Sequence, residues 1–194
     1  MPARPQLAPE DQMTIDEFLS FTDTRPDDEK WELIEGVPVM SPSPVSFHQL
    51  IIGNIHYALM AHKMATGASW LPSIGIGTLV PVSPNSLPQP DLYVHAGPGT
   101  WSSTTDDALV IFEILSRSNT KADQAWRRRV YASVPNCQHT VTVSLKAVEV
   151  MAFHRSSGWK PMVVSALTDT LDLPTLGVAL PLEHLYRYTP LGPQ

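Results

Sequence analysis

Cysteine, charge and long apolar runs are all scarce in this chain, and each shortage removes a class of protein. One cysteine in 194 residues, Cys137, excludes an intramolecular disulfide and a cysteine-rich zinc site, and fits a reducing compartment. Its sequence neighbours offer nothing to stabilise a thiolate, so a nucleophilic role is not expected. Charged residues make up only 16%, and 13 basic against 19 acidic residues leave a net charge of -6. Broad nonspecific coating of nucleic acid needs a basic face. The only local candidate is Arg127-Arg128-Arg129, with Arg117 and Lys121 upstream. No stretch approaches the roughly 18 apolar residues of a membrane span; the best one, residues 50–61, is broken by Asn54 and His56. Arg4 has no apolar segment behind it, so a secretory signal is not expected and a soluble, cytoplasmic protein is. Common site signatures are missing as well. Gly75-Ile76-Gly77 lacks the third glycine of a dinucleotide fingerprint, since position 80 is Val80. The seven histidines show no i, i+4 zincin spacing, His56 and His62 fall on different helix faces, and there is no Gly-Lys-Ser/Thr phosphate cradle.

What is present is enough apolar sequence, 43% of 194 residues, for one domain with a proper core. The 19 prolines fall mostly between elements. Residues 1–12 read as a disordered tail. Thr14 to Glu17 has the form of a capping box opening a short helix. Residues 30–34 and 37–40 read as a hairpin about a Glu35-Gly36 turn. Residues 46–65 are the clearest helix, with Phe47, Leu50, Ile51, Ile55, Ala58, Leu59 and His62 on the inward face. Strands are expected at 70–81, 90–96, 108–115, 140–145, 148–154 and 159–164. Between them a helix at 119–133 turns Ala122, Ala125, Trp126 and Val130 inward, and a short one closes the chain at 182–186. The reading is a single α/β domain over 13–188 with a mixed sheet, followed by a tail at 189–194.

Chemistry enters through acidic residues in apolar surroundings. Glu113 sits within Val110 to Leu115, where a carboxylate is costly unless something compensates it. The two-residue period of a strand places Ile111, Glu113 and Leu115 on one side. An arginine salt bridge is the ordinary explanation for such a glutamate. Asp91 follows Pro90 at the head of another apolar segment, where a turn role is the ordinary one. Two carboxylates on neighbouring short strands are also able to share a hard divalent cation, which suggests phosphodiester hydrolysis. Downstream, Asp123, Arg127 and Tyr131 fall four apart on one helical stripe. Alone, that stripe reads as a surface Asp-Arg pair. One helix after Glu113, it is placed to carry Arg127 back towards the carboxylates.

At these residues the chain resembles the Uma-two-type endonucleases, a branch of the PD-(D/E)XK restriction-endonuclease-like nucleases. The likeness runs from Met13 to Tyr188 and rests on order and spacing. It takes in Trp31-Glu32-Leu33-Ile34-Glu35-Gly36, Met40-Ser41-Pro42, His48, Pro90-Asp91, Phe112 to Ser116, and the helix carrying Asp123, Arg127 and Tyr131. It ends with Leu176-Gly177-Val178, Pro181-Leu182 and Leu185-Tyr186. The resemblance implies a restriction-endonuclease-like α/β core, its central mixed sheet flanked by helices. It also implies that Asp91 and Glu113 ligate magnesium, that Glu32 supports them and that His48 borders the same cleft. In the wider superfamily a lysine stands two residues after the glutamate; here that position is Leu115. This branch resembles one that supplies the lysine from the following helix, where this chain has Arg127. An arginine stays charged at any working pH and cannot trade protons as a lysine can, but it still neutralises charge developing on phosphate.

The expected function is therefore metal-dependent DNA endonuclease activity, weakened by Arg127 in the lysine's place. DNA is the candidate partner and a homodimer the candidate assembly. The competing class is a catalytically degenerate module that kept the nuclease fold for nucleic-acid or protein binding, and a third is an acidic structural homodimer.

Overall fold

The computed structural model describes residues 8, 11–26, 29–41, 46–75, 83–97, 107–115 and 119–194. Ten strands and four α-helices follow one another along these residues. Helix α1 (Ile15–Thr22) starts at a complete Thr14–Glu17 capping box, as its sequence dictates. Strands β1 (Lys30–Ile34) and β2 (Val37–Ser41) pair antiparallel. Their two-residue turn has both Glu35 and Gly36 at positive φ, the pattern of a type I′ hairpin. Helix α2 (Ser46–Thr66) leads to β3 (Leu71–Ile74), β4 (Leu92–His95) and β5 (Ala108–Leu115). Helix α3 (Lys121–Ala132) then crosses to β6 (His139–Ser144), followed by β7 (Val150–His154) and β8 (Pro161–Val164). These six strands form one sheet in the order β3-β4-β5-β6-β7-β8. All neighbours are antiparallel except β5 and β6, which α3 joins as a parallel βαβ unit. A hairpin of β9 (Thr170–Leu173) and β10 (Val178–Pro181) and the short α4 (Leu182–Leu185) complete the chain. The mixed sheet with flanking helices is the fold class expected from the sequence.

The main core lies on one face of the sheet. Ile51, Ile52, Ile55 and Leu59 of α2 pack there with Val110, Phe112, Ile114, Val141 and Val143, and the β9–β10 hairpin and α4 close the far side. The opposite face carries a smaller cluster of Tyr93, Ile111, Tyr131, Val134 and Cys137 beneath α3. A third cluster of Phe18, Leu33 and Leu87 anchors α1 to the first hairpin.

Three sequence expectations are corrected here. The buried stripe of α2 runs through His48, Ile51, Ile52, Ile55 and Leu59. Leu50 is 42% exposed, because the face turned to sheet and hairpin is rotated from the one periodicity suggested. On α3, Ala122 and Ala125 are exposed, while Trp126 and Tyr131 are buried. The β9–β10 hairpin was not expected; Leu171, Leu173, Val178 and Leu180 alternate over runs too short to stand out. At the ends, Met13 N–H donates to Gly36 O, and Thr189, 1% exposed, lies against the domain together with the half-buried Leu191. Residues 76–81 of the expected third strand, and Arg117, lie outside the described residues.

Candidate active site

The β4–β5 register sets the site. Leu92 pairs with Phe112 and Tyr93 with Ile111; one step further along the same antiparallel register, Asp91 stands opposite Glu113. Period two then places both on the α3 side, away from the main core. The Asp91 backbone is fixed by an approach that only glycine permits. Gly75 N–H donates to Asp91 O at 2.9 Å, and a Cβ at Gly75 would overlap the Pro90 carbonyl oxygen.

Glu113 receives two donors on Oε1: the Tyr131 hydroxyl at 2.6 Å and Arg127 Nη1 at 3.1 Å. Arg127 also grips Glu32 as a fork, Nη1 to Oε1 at 2.9 Å and Nη2 to Oε2 at 2.7 Å. Glu32, only 2% exposed, accepts further from Gln89 N–H at 2.8 Å and Ser41 Oγ at 3.3 Å. Gln89 lies on a stretch sutured to the hairpin by the Leu33–Leu87 bridge and by Gly36 N–H to Asn85 O at 2.7 Å. Trp126 Nε1 donates to Glu35 Oε1 at 3.0 Å, tying α3 to the same hairpin. Asp91 is held separately. Its Oδ2 accepts from Ile114 N–H at 2.8 Å and lies 3.4 Å from His48 Nε2, and its Oδ1 lies 3.4 Å from Lys30 Nζ.

Electrostatics divide the three carboxyls. Burial alone would raise Asp91, but the His48 hydrogen bond, the charges of Lys30 and His48, and the Ile114 N–H together hold it at about 2. Glu32 is likewise lowered: burial pushes it up, and Arg127 more than offsets that. Glu113 goes the other way, raised to about 7 by burial and by the charges of Asp91 and Glu32, with Arg127 opposing. Arg127 itself is held well above its usual range, its burial outweighed by Glu113 and Glu32. Burial and the Glu113 charge likewise raise Tyr131 well above the ordinary tyrosine range.

The structure brings together Asp91, Glu113, Arg127, Glu32, His48 and Tyr131. Asp91 and Glu113 are adjacent, and Arg127 bridges Glu113 to Glu32. His48 touches Asp91, although helix spacing had placed it beside the buried stripe and not in it. Asp123 instead closes the α3 capping box with Thr120. One residue was missed: Lys30. The signal was available, since Lys30 and Glu32 are two apart on one strand and so share a side.

A divalent cation fits this donor set within limits. Among the described residues no group of three or more His, Cys, Asp or Glu is arranged to hold an ion. Asp91 and Glu113 supply two carboxylates, and Glu113 is raised by burial and by the charges of Asp91 and Glu32 against the opposing charge of Arg127. Magnesium is the ion that accepts one or two carboxylates and keeps several waters.

Comparison with known proteins bears on the family and the fold. Residues 15–183 match the family model Uma2, described as "Putative restriction endonuclease". The fold is similar to the crystal structure of a putative nuclease belonging to DUF820 from Anabaena variabilis. The TM-score is 0.72 at 14% identity, covering 90% of this chain and 97% of that one. A stretch of 102 residues is 29% identical to "Uncharacterized protein slr1290" of Synechocystis sp., covering 50% of this chain and 53% of that protein. The match thus spans about half the length of that relative. No helix among the described residues is long and apolar enough to cross a membrane.

Proposed function

The chain belongs to the Uma2 family of restriction-endonuclease-like proteins, and from that premise we propose that it is a magnesium-dependent endonuclease cleaving DNA phosphodiesters at Asp91 and Glu113. The observation that carries the reading is the pairing of these two carboxyls on adjacent strands, one fully ionised and one raised to about 7. Asp91 and Glu113 would hold the ion, which supplies a Lewis acid for the phosphoryl oxygens and an acidified water. The chain's own residues do the rest. Ile114 N–H and His48 orient Asp91, Tyr131 and Arg127 orient Glu113, and Glu32 keeps Arg127 in place. In the reaction a water oxygen bonds to phosphorus as the bond to the sugar oxygen breaks. The water's proton leaves to solvent and the departing oxygen takes one up.

Plasmid nicking in magnesium or manganese, against the same protein in chelator, tests the reading. Metal-dependent conversion of supercoiled to open-circular DNA supports it, and identical lanes with and without metal refute it. The competing reading, a nuclease fold retained for binding, is favoured by one observation: both terminal nitrogens of Arg127 are engaged with Glu32 and Glu113. It predicts DNA retention in a gel-shift assay without cleavage. The acidic homodimer predicts neither.

A further inference from the structure

Resting on the nuclease reading, we propose that Lys30, and not Arg127, is the cation that meets the scissile phosphate, with Asp91 Oδ1 as its parking place when no divalent ion is bound.

The two cations of the site differ in how far they are free to act. Both terminal nitrogens of Arg127 are engaged, with both oxygens of Glu32 and with Glu113, and its side chain is 13% exposed. To reach a substrate it would leave Glu32 charged, buried and without its main partner, a costly exchange. Lys30 is built the other way. Its side chain is 36% exposed and, among the described residues, its ammonium makes one long polar contact, 3.4 Å to Asp91 Oδ1. Asp91 does not depend on it for orientation, because Ile114 N–H and His48 both hold the other oxygen, Oδ2. Oδ1 is therefore the oxygen left for a divalent ion, and an ion there repels the ammonium that occupied it. A lysine's charge is compact and rides on a flexible four-carbon stem, so release from Asp91 costs little backbone rearrangement.

Where the displaced ammonium goes follows from charge. Asp91, Glu32 and Glu113 face Lys30 and Arg127, and the charge of Lys30 acts on all three carboxyls. Among the chain's five lysines, Lys63 is committed to Ala68 O at the end of α2, and Lys121, Lys146 and Lys160 belong to other parts of the fold. A phosphodiester beside the metal presents the nearest new anionic oxygen. There the Lys30 ammonium offsets the negative charge that builds on the non-bridging oxygens as the water bond forms and the sugar bond breaks.

The test uses the full chain with Lys30→Met and Lys30→Arg. Two readouts are taken: plasmid cleavage in magnesium, and binding of a labelled duplex in calcium across a salt series. Lys30→Met should cut cleavage about 100-fold, the scale of losing one preorganised donor to a developing anion. Lys30→Arg should recover much of that loss. In calcium, Lys30→Met should also flatten the dependence of log affinity on log salt by about 0.9, the value of one phosphate contact. In chelator the difference should vanish, because Lys30 is then on Asp91. Cleavage and salt slope both staying at the parent's values in Lys30→Met would overturn the assignment while leaving the nuclease reading intact. A parent that never cleaves but whose calcium slope falls with Lys30→Met would keep the phosphate contact and remove the nuclease. A parent that neither cleaves nor binds duplex overturns both.

Discussion

Strand β5 faces two different environments, and the difference separates what holds this protein together from what it is built to do. On the α2 side, Val110, Phe112 and Ile114 join a continuous apolar core. On the α3 side, Ile111 is followed by Glu113, and the packing there is finished with Tyr131, Arg127 and Glu32. A helix packed on a sheet usually seals it with apolar side chains. Helix α3 instead turns a charged, hydrogen-bonded stripe inward and leaves Ala122 and Ala125 in water. Such an arrangement is weak evidence for stability, since well-packed apolar replacements of a buried ion pair are often no worse. On the nuclease reading proposed above, the charge serves the site and not the fold.

The widest separation between the two faces comes from substituting neighbours on the same strand. Phe112→Ala should cost about 3–5 kcal/mol in a denaturant titration, the range for deleting a buried aromatic. Glu113→Gln should leave the unfolding midpoint near the parent's and abolish metal-dependent nicking, as should Asp91→Asn. If Glu113→Gln proved as damaging to the fold as Phe112→Ala while nicking persisted, the α3 face would be structural and the proposed site would fall.

Arg127 tests the polar face from within. Arg127→Met leaves two buried carboxyls without their main cation, and breaking a buried pair in this way costs about 3–5 kcal/mol. Adding Glu32→Gln should return a good part of it, because the deeper orphan is then neutral. Arg127→Lys keeps the charge but loses the fork, a change on the scale of about 1.5–3 kcal/mol for a charged hydrogen bond. With Lys30 as the phosphate cation, Arg127→Lys should not raise the cleavage rate. A large increase would return that role to position 127.

Much of this was legible in the chain. Element order followed from periodicity, caps and turn residues, and the acidic pair stood out because Glu113 interrupts an apolar run. What was not legible has definite causes. Helical spacing could not decide which way α3 faces: its apolar and polar stripes are both continuous, and only the carboxylate on β5 explains why the polar one points inward. Leu50 and Ile52 exchanged roles for a similar reason, since α2 packs against the sheet, α4 and the β9–β10 hairpin together, and the hairpin's four-residue strands carry too little pattern to be seen. Lys30 was passed over because its partner, Asp91, lies 61 positions away.

Tyr131→Phe is a smaller probe of the same face. Its hydroxyl donates to Glu113 at 2.6 Å and accepts from Arg127 Nη1 at 3.2 Å. Removing it should cost about 1–3 kcal/mol, the penalty of leaving a buried acceptor short of a donor. It should also raise the pKa of Glu113 further, because a donor that favours the charged carboxylate is lost. Backbone-resolved or carboxyl-resolved NMR titration reads the second effect directly.

The smallest expected effect sits at the rim of the apolar face and opposes the polar face in sign. His139 on β6 stands across from His154 on β7, Nδ1 to Nδ1 at 2.6 Å, with Nε2 2.9 Å from Thr175 Oγ1. Burial, then the His154 charge, lowers its pKa from 6.5 to about 4. Between those values the unfolded chain takes up the proton more readily, so the contribution of neutral His139 is complete above pH 6.5 and is lost as pH falls towards 4. Glu113 runs in reverse. Raised from 4.5 to about 7, it favours the folded state fully below pH 4.5 and loses that contribution as pH rises through 7. Unfolding midpoints measured across this window should therefore change little in the parent, because the two faces offset each other. His139→Gln should leave a stability that declines with rising pH, and Glu113→Gln one that increases. If both substitutions tilted the profile the same way, one of these two protonation states would be misassigned, and the contrast between a neutral apolar face and a carboxyl-rich polar face would fail at that residue.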